Sequence, residues 1–255
     1  MSLVPNIVFI VPYRDRETQR QFYDKHMRYI MEDAPRDSWK VIYIHQEDGR
    51  SFNRGAMKNI GFLIARDKWP NEYRDITLVF NDVDIMPIVK GFIQYETTQG
   101  VVKHFYGFRH TLGGIVSIKG GDYEKTGGFP NFWAWGYEDN MFQYRVIKNG
   151  LTINRDAFSP IYNKNYIMLH DGLMRDINKQ EYDVYKKETA EGFQNIVGLQ
   201  YSEDYTLFPE GSIVINVSGF NTGRSEAVHL RKAHDLRNGS RPFMAKKRVV
   251  GMNFS

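Results

Sequence analysis

Four short stretches of the chain combine residue types and spacings that can do chemistry. Asp82-Val83-Asp84 sets two carboxylates two residues apart, directly after the apolar run 76–80. In an extended segment, alternation sends both side chains to one side. Two carboxylates there suit a divalent cation, which in turn suits a diphosphate. The same residues also serve as turn or helix caps. Pro12-Tyr13-Arg14-Asp15-Arg16 follows another apolar run, 7–11. Its ring can stack on a base and its arginines can reach a uracil edge, a ribose or phosphates, or pair with surface acids. The stretch 129–139 (FPNFWAWGYED) loads aromatic residues and glycine directly ahead of Glu138-Asp139. That is the makeup of a sugar-binding platform with a carboxylate as general base, or of a helix whose first turn carries acids against its dipole. Met168 and His170 point the same way if extended, which permits joint metal ligation; Met is also an ordinary core residue.

The elements that must hold these groups read as alternating strand and helix. Apolar runs at 7–11, 41–44, 76–80, 115–118 and 212–217 read as strands. Helical spacing marks 17–33, through Tyr23, Met27, Ile30 and Met31, and 53–66, through Met57, Ile60 and Ile64. A further helix runs over 138–149, stopped by Gly150. Residues 171–191 are polar and read as a loop or marginal helix. The pattern predicts an α/β fold with a largely parallel sheet covered on both faces. In such sheets ligands bind at the carboxyl ends of the strands, where the first two motifs fall.

Composition narrows the partners. With 42% hydrophobic and 25% charged residues, the 255-residue chain is ordinary globular material, and it has no run near the ~20 apolar residues of a membrane span. It has no cysteine, which excludes disulfides, thiolate metal sites and a Cys nucleophile. The net charge of +4 is uneven: residues 221–255 hold eight basic and two acidic side chains, so residues 1–220 are slightly acidic. A basic end of this kind is usually solvated; contact with an anionic membrane surface or a polyanion is the other reading. No nucleic-acid partner is expected.

Taken in order, the motifs resemble the β-1,4-galactosyltransferase family, the inverting transferases of glycosyltransferase family 7. The resemblance rests on residues 11–16 (VPYRDR), Phe52-Asn53-Arg54, residues 80–84 (FNDVD) with Pro87, Gly113-Gly114, Gly128-Phe129-Pro130 running into 133–139 (WAWGYED), His170-Asp171 and 187–189 (KET). It covers about residues 7 to 218. It implies a GT-A fold, a Rossmann-like nucleotide-binding sheet merged with an acceptor-binding half. On that reading residues 1–220 form one catalytic domain, with a nucleotide half of about 1–90 and an acceptor half of about 91–220. Residues 221–255 are then a basic extension.

The resemblance also implies a UDP-sugar donor, Mn²⁺ and a glycan or glycoconjugate acceptor. Carried over residue by residue, Pro12, Tyr13, Arg14 and Arg16 hold the uridine part, with Phe52 and Arg54 beside it. Asp82, Val83, Gly114 and Trp135 complete the donor pocket. Asp84 and His170 match metal ligands, and Met168 matches the partner residue of the family's His-x-His branch, other members using Met-x-x-His. Asp139, with Glu138 before it, matches the general base, and Trp135, Gly136, Tyr137 and Asn140 line the acceptor. The expected reaction moves galactose or N-acetylgalactosamine to a glycan hydroxyl with a β linkage. Trp135 and residues 171–186 resemble the family's mobile elements.

The chain departs from the pattern at three points. Asn140 and Met141 stand where acids are usual, and Tyr137 where a small residue is usual, which points away from the common N-acetylglucosamine or xylose acceptors. Thr111 replaces a frequent Tyr and leaves space for a 2-acetamido group on the donor. Zero cysteine favours a cytoplasmic bacterial or viral relative over a trimmed Golgi protein. Two rivals stand beside this reading: a sugar nucleotidyltransferase, which should carry a Gly-rich loop where Pro12–Arg16 sits, and a non-catalytic UDP-sugar or glycan-binding module.

Overall fold

The alternation of apolar side chains along the first strand decides which helix covers which face of the sheet. In β1 (Ile7–Tyr13) every residue is buried. Val8 and Ile10 face one cluster with Met57, Ile60 and Ile64 of helix α2, while Phe9 and Val11 face another with Tyr23, Met27 and Ile30 of helix α1. Helix α1 (Glu17–Ile30) presents those three at i, i+4 and i+7. It stops at Ile30, and the expected residues 31–33 form a turn instead, ahead of Pro35. Strand β2 (Trp39–Gln46) and helix α2 (Arg54–Lys68) follow. The N-cap of α2 is Asn53, whose side chain accepts from Ala56 N at 2.9 Å.

The computed structural model describes residues 4–169, 172–187, 190–205, 211–239 and 242–243. Strand β3 (Thr77–Asn81) leads into the short β4 (Ile85–Pro87). Then come β5 (Val101–Gly107), β6 (Ile115–Lys119), α3 (Gly120–Thr126), α4 (Glu138–Lys148), β7 (Thr152–Asn154), β8 (Ser159–Pro160) and β9 (Tyr166–Met168). Strand β10 (Met174–Asn178) runs into α5 (Lys179–Tyr185), and β11 (Val197–Asp204), β12 (Ser212–Asn221) and β13 (Arg231–Asp235) complete the chain. Residues 171–191, read as a loop or marginal helix, thus hold a strand and a helix over their described part. Asn178 caps that helix, its side chain accepting from Gln180 N and Glu181 N.

The main sheet has nine strands in the order β11-β12-β2-β1-β3-β6-β5-β7, with β8 on β5. The β1–β2, β1–β3 and β2–β12 pairs are parallel, and β3–β6 and β5–β6 are antiparallel. The sheet is therefore mixed and mostly parallel, in an α/β fold with α2, α3 and α4 on one face and α1 on the other. One sheet draws strands from residues 7 through 221, so the expected nucleotide and acceptor halves share it. With β2 and β3 flanking β1, chain order reverses at β1, where a doubly wound sheet opens its ligand crevice.

The chain beyond residue 220 turns back onto the body. Strand β13 pairs antiparallel with β10 over five residues, Met174↔Asp235 to Asn178↔Arg231. Arg231 donates to Ser51 Oγ at 2.7 Å, and Glu226 accepts from Ser51 N. Residues 222–239 are thus tied to the body of the fold where a solvated end was expected. No described helix is long and apolar enough to cross a membrane.

Candidate active site

Asp139 stands at the centre of the site because α2 and α4 point their first turns at each other. Arg54 and Lys58 lie one turn apart on α2 and so share a face. Both reach Asp139: Arg54 Nη2 pairs with Oδ2, and Lys58 Nζ with Oδ1 at 3.0 Å. Arg54 also binds Asp82 Oδ2 at 3.1 Å and Glu138 Oε1 at 2.9 Å. One guanidinium thereby gathers the residue that follows β3 and the first residues of α4. The loop feeding α4 is bent by three residues of positive φ, Ala134 (φ 92°), Gly136 (φ 105°) and Tyr137 (φ 81°). Its root is held by Asn59 of α2, which donates to Phe129 O at 2.8 Å and accepts from Phe129 N at 3.0 Å.

Two adjacent carboxyls are driven apart electrostatically. Burial works to raise Asp139, but the Arg54 and Lys58 charges outweigh it and hold Asp139 below the usual carboxylate range. Burial raises Glu138 above its ordinary value, with the Asp139 charge adding to it and Arg54 only partly offsetting it. Burial also opposes the Arg54 charge, yet the three acids around it raise its pKa. Two adjacent carboxyls pushed in opposite directions make this site a candidate for proton transfer. Gly113 is required beside them, because a Cβ there would overlap the Asp139 carboxylate. His104 steadies this loop with Nε2 at 3.1 Å from both Gly113 O and Tyr106 O.

Arg54, Asp82, Gly113, Glu138 and Asp139 line a cavity of about 530 Å³, within the size of a small-ligand site. Of the expected residues it holds Arg54, Asp82, Gly114, Trp135, Gly136, Tyr137, Glu138, Asp139 and Asn140. Thr111, Tyr106, Tyr182 and Phe243 also line it. Pro12, Tyr13, Arg14, Arg16, Phe52 and Val83 do not line that cavity; the first four lie at the carboxyl end of β1, across from the end of β3. There Tyr13 stacks on His45 at 4.7 Å, and burial pushes its hydroxyl up to about 12. Arg14 donates to Arg50 O and Arg16 Nη1 to Asp15 O at 2.9 Å. Phe52 and Val83 pack against the two core clusters.

The candidate metal ligands converge through backbone pairing. Strand β4 pairs antiparallel with β9, Ile85↔Met168, and Leu169 N donates to Asp84 O at 2.8 Å. Asp84 is thereby set beside Met168 and the chain leading to His170; His170 itself lies outside the described residues. The Met168 sulfur accepts from Tyr106 Oη at 2.6 Å, so ligation by Met168 needs that bond released. Asp82 Oδ1 is buried without a hydrogen-bond partner, an acceptor suited to a hard cation or a sugar hydroxyl. Among the described residues no three Asp, Glu or His side chains already form a metal cluster.

Sequence reasoning missed Lys58, although its spacing of four from Arg54 on a recognised helix was the signal for it. It also missed Tyr106, Tyr182 and Phe243, which only tertiary packing brings to the cavity.

The family model described as the N-terminal region of glycosyl transferase group 7 matches residues 4–94. A second, described as the N-terminal domain of galactosyltransferase, matches residues 100–171. A xylosylprotein 4-beta-galactosyltransferase of Caenorhabditis elegans is 33% identical over 156 residues, 57% of this chain and 52% of that protein. Human beta-1,4-galactosyltransferase 7 is 26% identical over 190 residues, 71% of this chain and 56% of that protein. The chain thus spans about half the length of the curated relatives it matches. Among solved structures, the catalytic domain of Drosophila beta-1,4-galactosyltransferase 7 in complex with xylobiose superposes with a TM-score of 0.70 at 19% identity, over 89% of this chain and 98% of that one. A mutant of the same Drosophila enzyme, in complex with manganese, UDP-Gal and xylobiose, gives 0.68 at 17% identity, over 89% and 98%. With both family models matched in chain order, this chain belongs to glycosyltransferase family 7, the β-1,4-galactosyltransferase family.

Proposed function

We propose that the protein is an inverting, Mn²⁺-dependent glycosyltransferase that moves galactose or N-acetylgalactosamine from a UDP-sugar to a glycan hydroxyl. The observation that carries the proposal is Asp139, ionised in the shared grip of Arg54 and Lys58 and facing a cavity of ligand size. The Asp139 carboxylate takes the proton of the acceptor hydroxyl as that oxygen attacks the anomeric carbon. UDP leaves from the opposite face, so an α-linked donor gives a β-linked product. A positioned base contributes about 10²–10⁴-fold in rate. Glu138, held toward its protonated form, adds no second full negative charge beside the incoming hydroxyl. Arg54 lies between Asp82 and Asp139, where it can exchange a carboxylate for an anionic donor.

The donor chemistry fits a divalent cation. Asp84 and His170 would hold it, with Met168 joining once Tyr106 lets go of the sulfur. Bound there, manganese would supply positive charge against that growing on the departing diphosphate. The described relatives that act on or bind galactosyl donors support galactose as the sugar moved. Thr111 lines the cavity, and its small side chain supports a donor with a 2-acetamido group. The cysteine-free composition supports a cytoplasmic setting.

The test is UDP release with Mn²⁺ over a matrix of UDP-sugars and glycoside acceptors, read for the wild type and Asp139→Asn. Wild-type turnover that Asp139→Asn loses, while still binding UDP, is the expected result. Full turnover by Asp139→Asn sinks the mechanism, and UDP-galactose strongly preferred over UDP-N-acetylgalactosamine removes the Thr111 reading.

A further inference from the structure

The last described residues of the chain, Pro242 and Phe243, lie beyond residues 4–171 matched by the family models, yet they line the same cavity as Asp139. Phe243 stacks face to face on Tyr182 at 4.4 Å and 18°. Tyr182 meets Tyr137 edge-on at 4.9 Å and 72°, and Tyr137 immediately precedes Glu138-Asp139. Trp135 completes the lining. Aromatic faces in a cavity beside a carboxylate offer the apolar C–H face of a pyranose a flat partner, while the polar edge of the sugar keeps its hydroxyls for the base.

How Phe243 reaches this place is a matter of strand pairing. Strand β13 lies antiparallel to β10, Leu236 N donates to Leu173 O at 2.9 Å, and Trp135 N donates to Asp176 O of β10 at 2.7 Å. At its base, Arg231 ties the same segment to Ser51 and to Asp176, three residues before Arg54. The C-terminal segment, β10 and the Trp135 loop are therefore one hydrogen-bonded unit. Of the described basic side chains, Arg231 also pairs with Glu226, and Arg237 pairs with Asp235 within the segment.

We infer that residues 231–239 with Pro242 and Phe243 form an arm of the acceptor site, with Phe243 as its sugar-stacking wall, so that this chain's acceptor choice is set in part by residues outside the matched family region. The inference rests on the glycosyltransferase reading above and adds to it the class of acceptor, a pyranoside with an apolar ring face. Tyr137 belongs to the same wall, which accounts for a bulky residue where the family's usual one is small.

The experiment is steady-state transfer with the full chain, Mn²⁺ and the best UDP-sugar. The acceptor probes are p-nitrophenyl β-glycosides of xylose, glucose, N-acetylglucosamine and N-acetylgalactosamine. Phe243→Ala is expected to raise the acceptor KM about ten-fold, the loss of roughly one aromatic contact, with a much smaller change in kcat. Phe243→Tyr, which keeps the ring, should restore the KM; a purely structural role would not give that split or that rescue. An acceptor KM unchanged in Phe243→Ala overturns the inference. So does a KM that falls, which would make Phe243 a plug. Wild-type turnover of no probe overturns the glycosyltransferase reading itself, and the acceptor arm with it.

Discussion

Lys58 offers the sharpest test of how the base is tuned. Its side chain is 2% exposed and its Nζ sits 3.0 Å from Asp139 Oδ1, with Phe129 as its other neighbour at 4.3 Å. Lys58→Met keeps the length and apolar stem, and a thioether packs acceptably on an aromatic ring, so the helix face should survive. What is lost is one of two cations that depress Asp139. An opposite charge at this range moves a carboxyl by about 1–3 pH units, and Arg54 remains, so Asp139 should rise part of the way back toward its ordinary value. The pH dependence of kcat/KM for the UDP-sugar reports groups of the free enzyme. Its acid limb should therefore move upward in Lys58→Met, while the neutral plateau keeps measurable turnover. The sign follows from a depressed folded pKa: Asp139 contributes stability above its ordinary value and loses it as pH falls through the lowered one. Thermal melts of Lys58→Met should accordingly lose stability relative to wild type near neutrality and converge with it at acid pH. An acid limb at the wild-type position, with the plateau intact, would show that Asp139 is not the titrating base or that Lys58 does not tune it.

Gly113→Ala should lower kcat about 100-fold with little change in melting temperature, because the new methyl displaces the Asp139 carboxylate while nearby backbone is spared; unaltered kcat would refute that contact. Asp84→Ala should abolish the Mn²⁺ dependence of UDP binding, measured by calorimetry, and retained dependence would take Asp84 out of the metal site. Glu181, raised by burial to about 7, favours the fold below its ordinary pKa and loses that contribution as pH rises through about 7. Glu181→Gln should therefore gain about 1–2 kcal/mol over wild type at pH 8 and little at pH 5, read from denaturant midpoints; an equal difference at both pH values would count against it. Mn²⁺ with UDP should protect residues 172–187 from limited proteolysis, and unchanged cleavage would deny that the segment closes.

The elements legible in the sequence are those whose own side chains do the deciding. Strands β1, β2, β3, β6 and β12 announce themselves as apolar runs because they are buried on both faces. Helices α1, α2 and α4 show helical spacing because one face meets the sheet. Strands β11 and β13 carry mostly exposed or half-exposed residues. They exist because β12 and β10 supply their hydrogen-bond partners from elsewhere in the chain. β10 escaped for the same reason, and the helix after it, seven residues long, is too short to show helical spacing.

The same division runs through the site. By itself the sequence determined that two acidic motifs sit at strand and helix ends, since motif order and strand polarity are local properties; the base role proposed for Asp139 comes from the family resemblance. Tertiary structure alone decided the ionisation of Asp139. The charges that hold Asp139 and Glu138 apart come from α2, more than 80 positions earlier, and act through burial that no local pattern reports. It alone also brought Phe243 to the cavity, over 100 positions beyond Asp139, through the pairing of β13 with β10. Side-chain type is written residue by residue; distance between residues remote in the chain is a product of packing, and electrostatics and aromatic contact depend on distance.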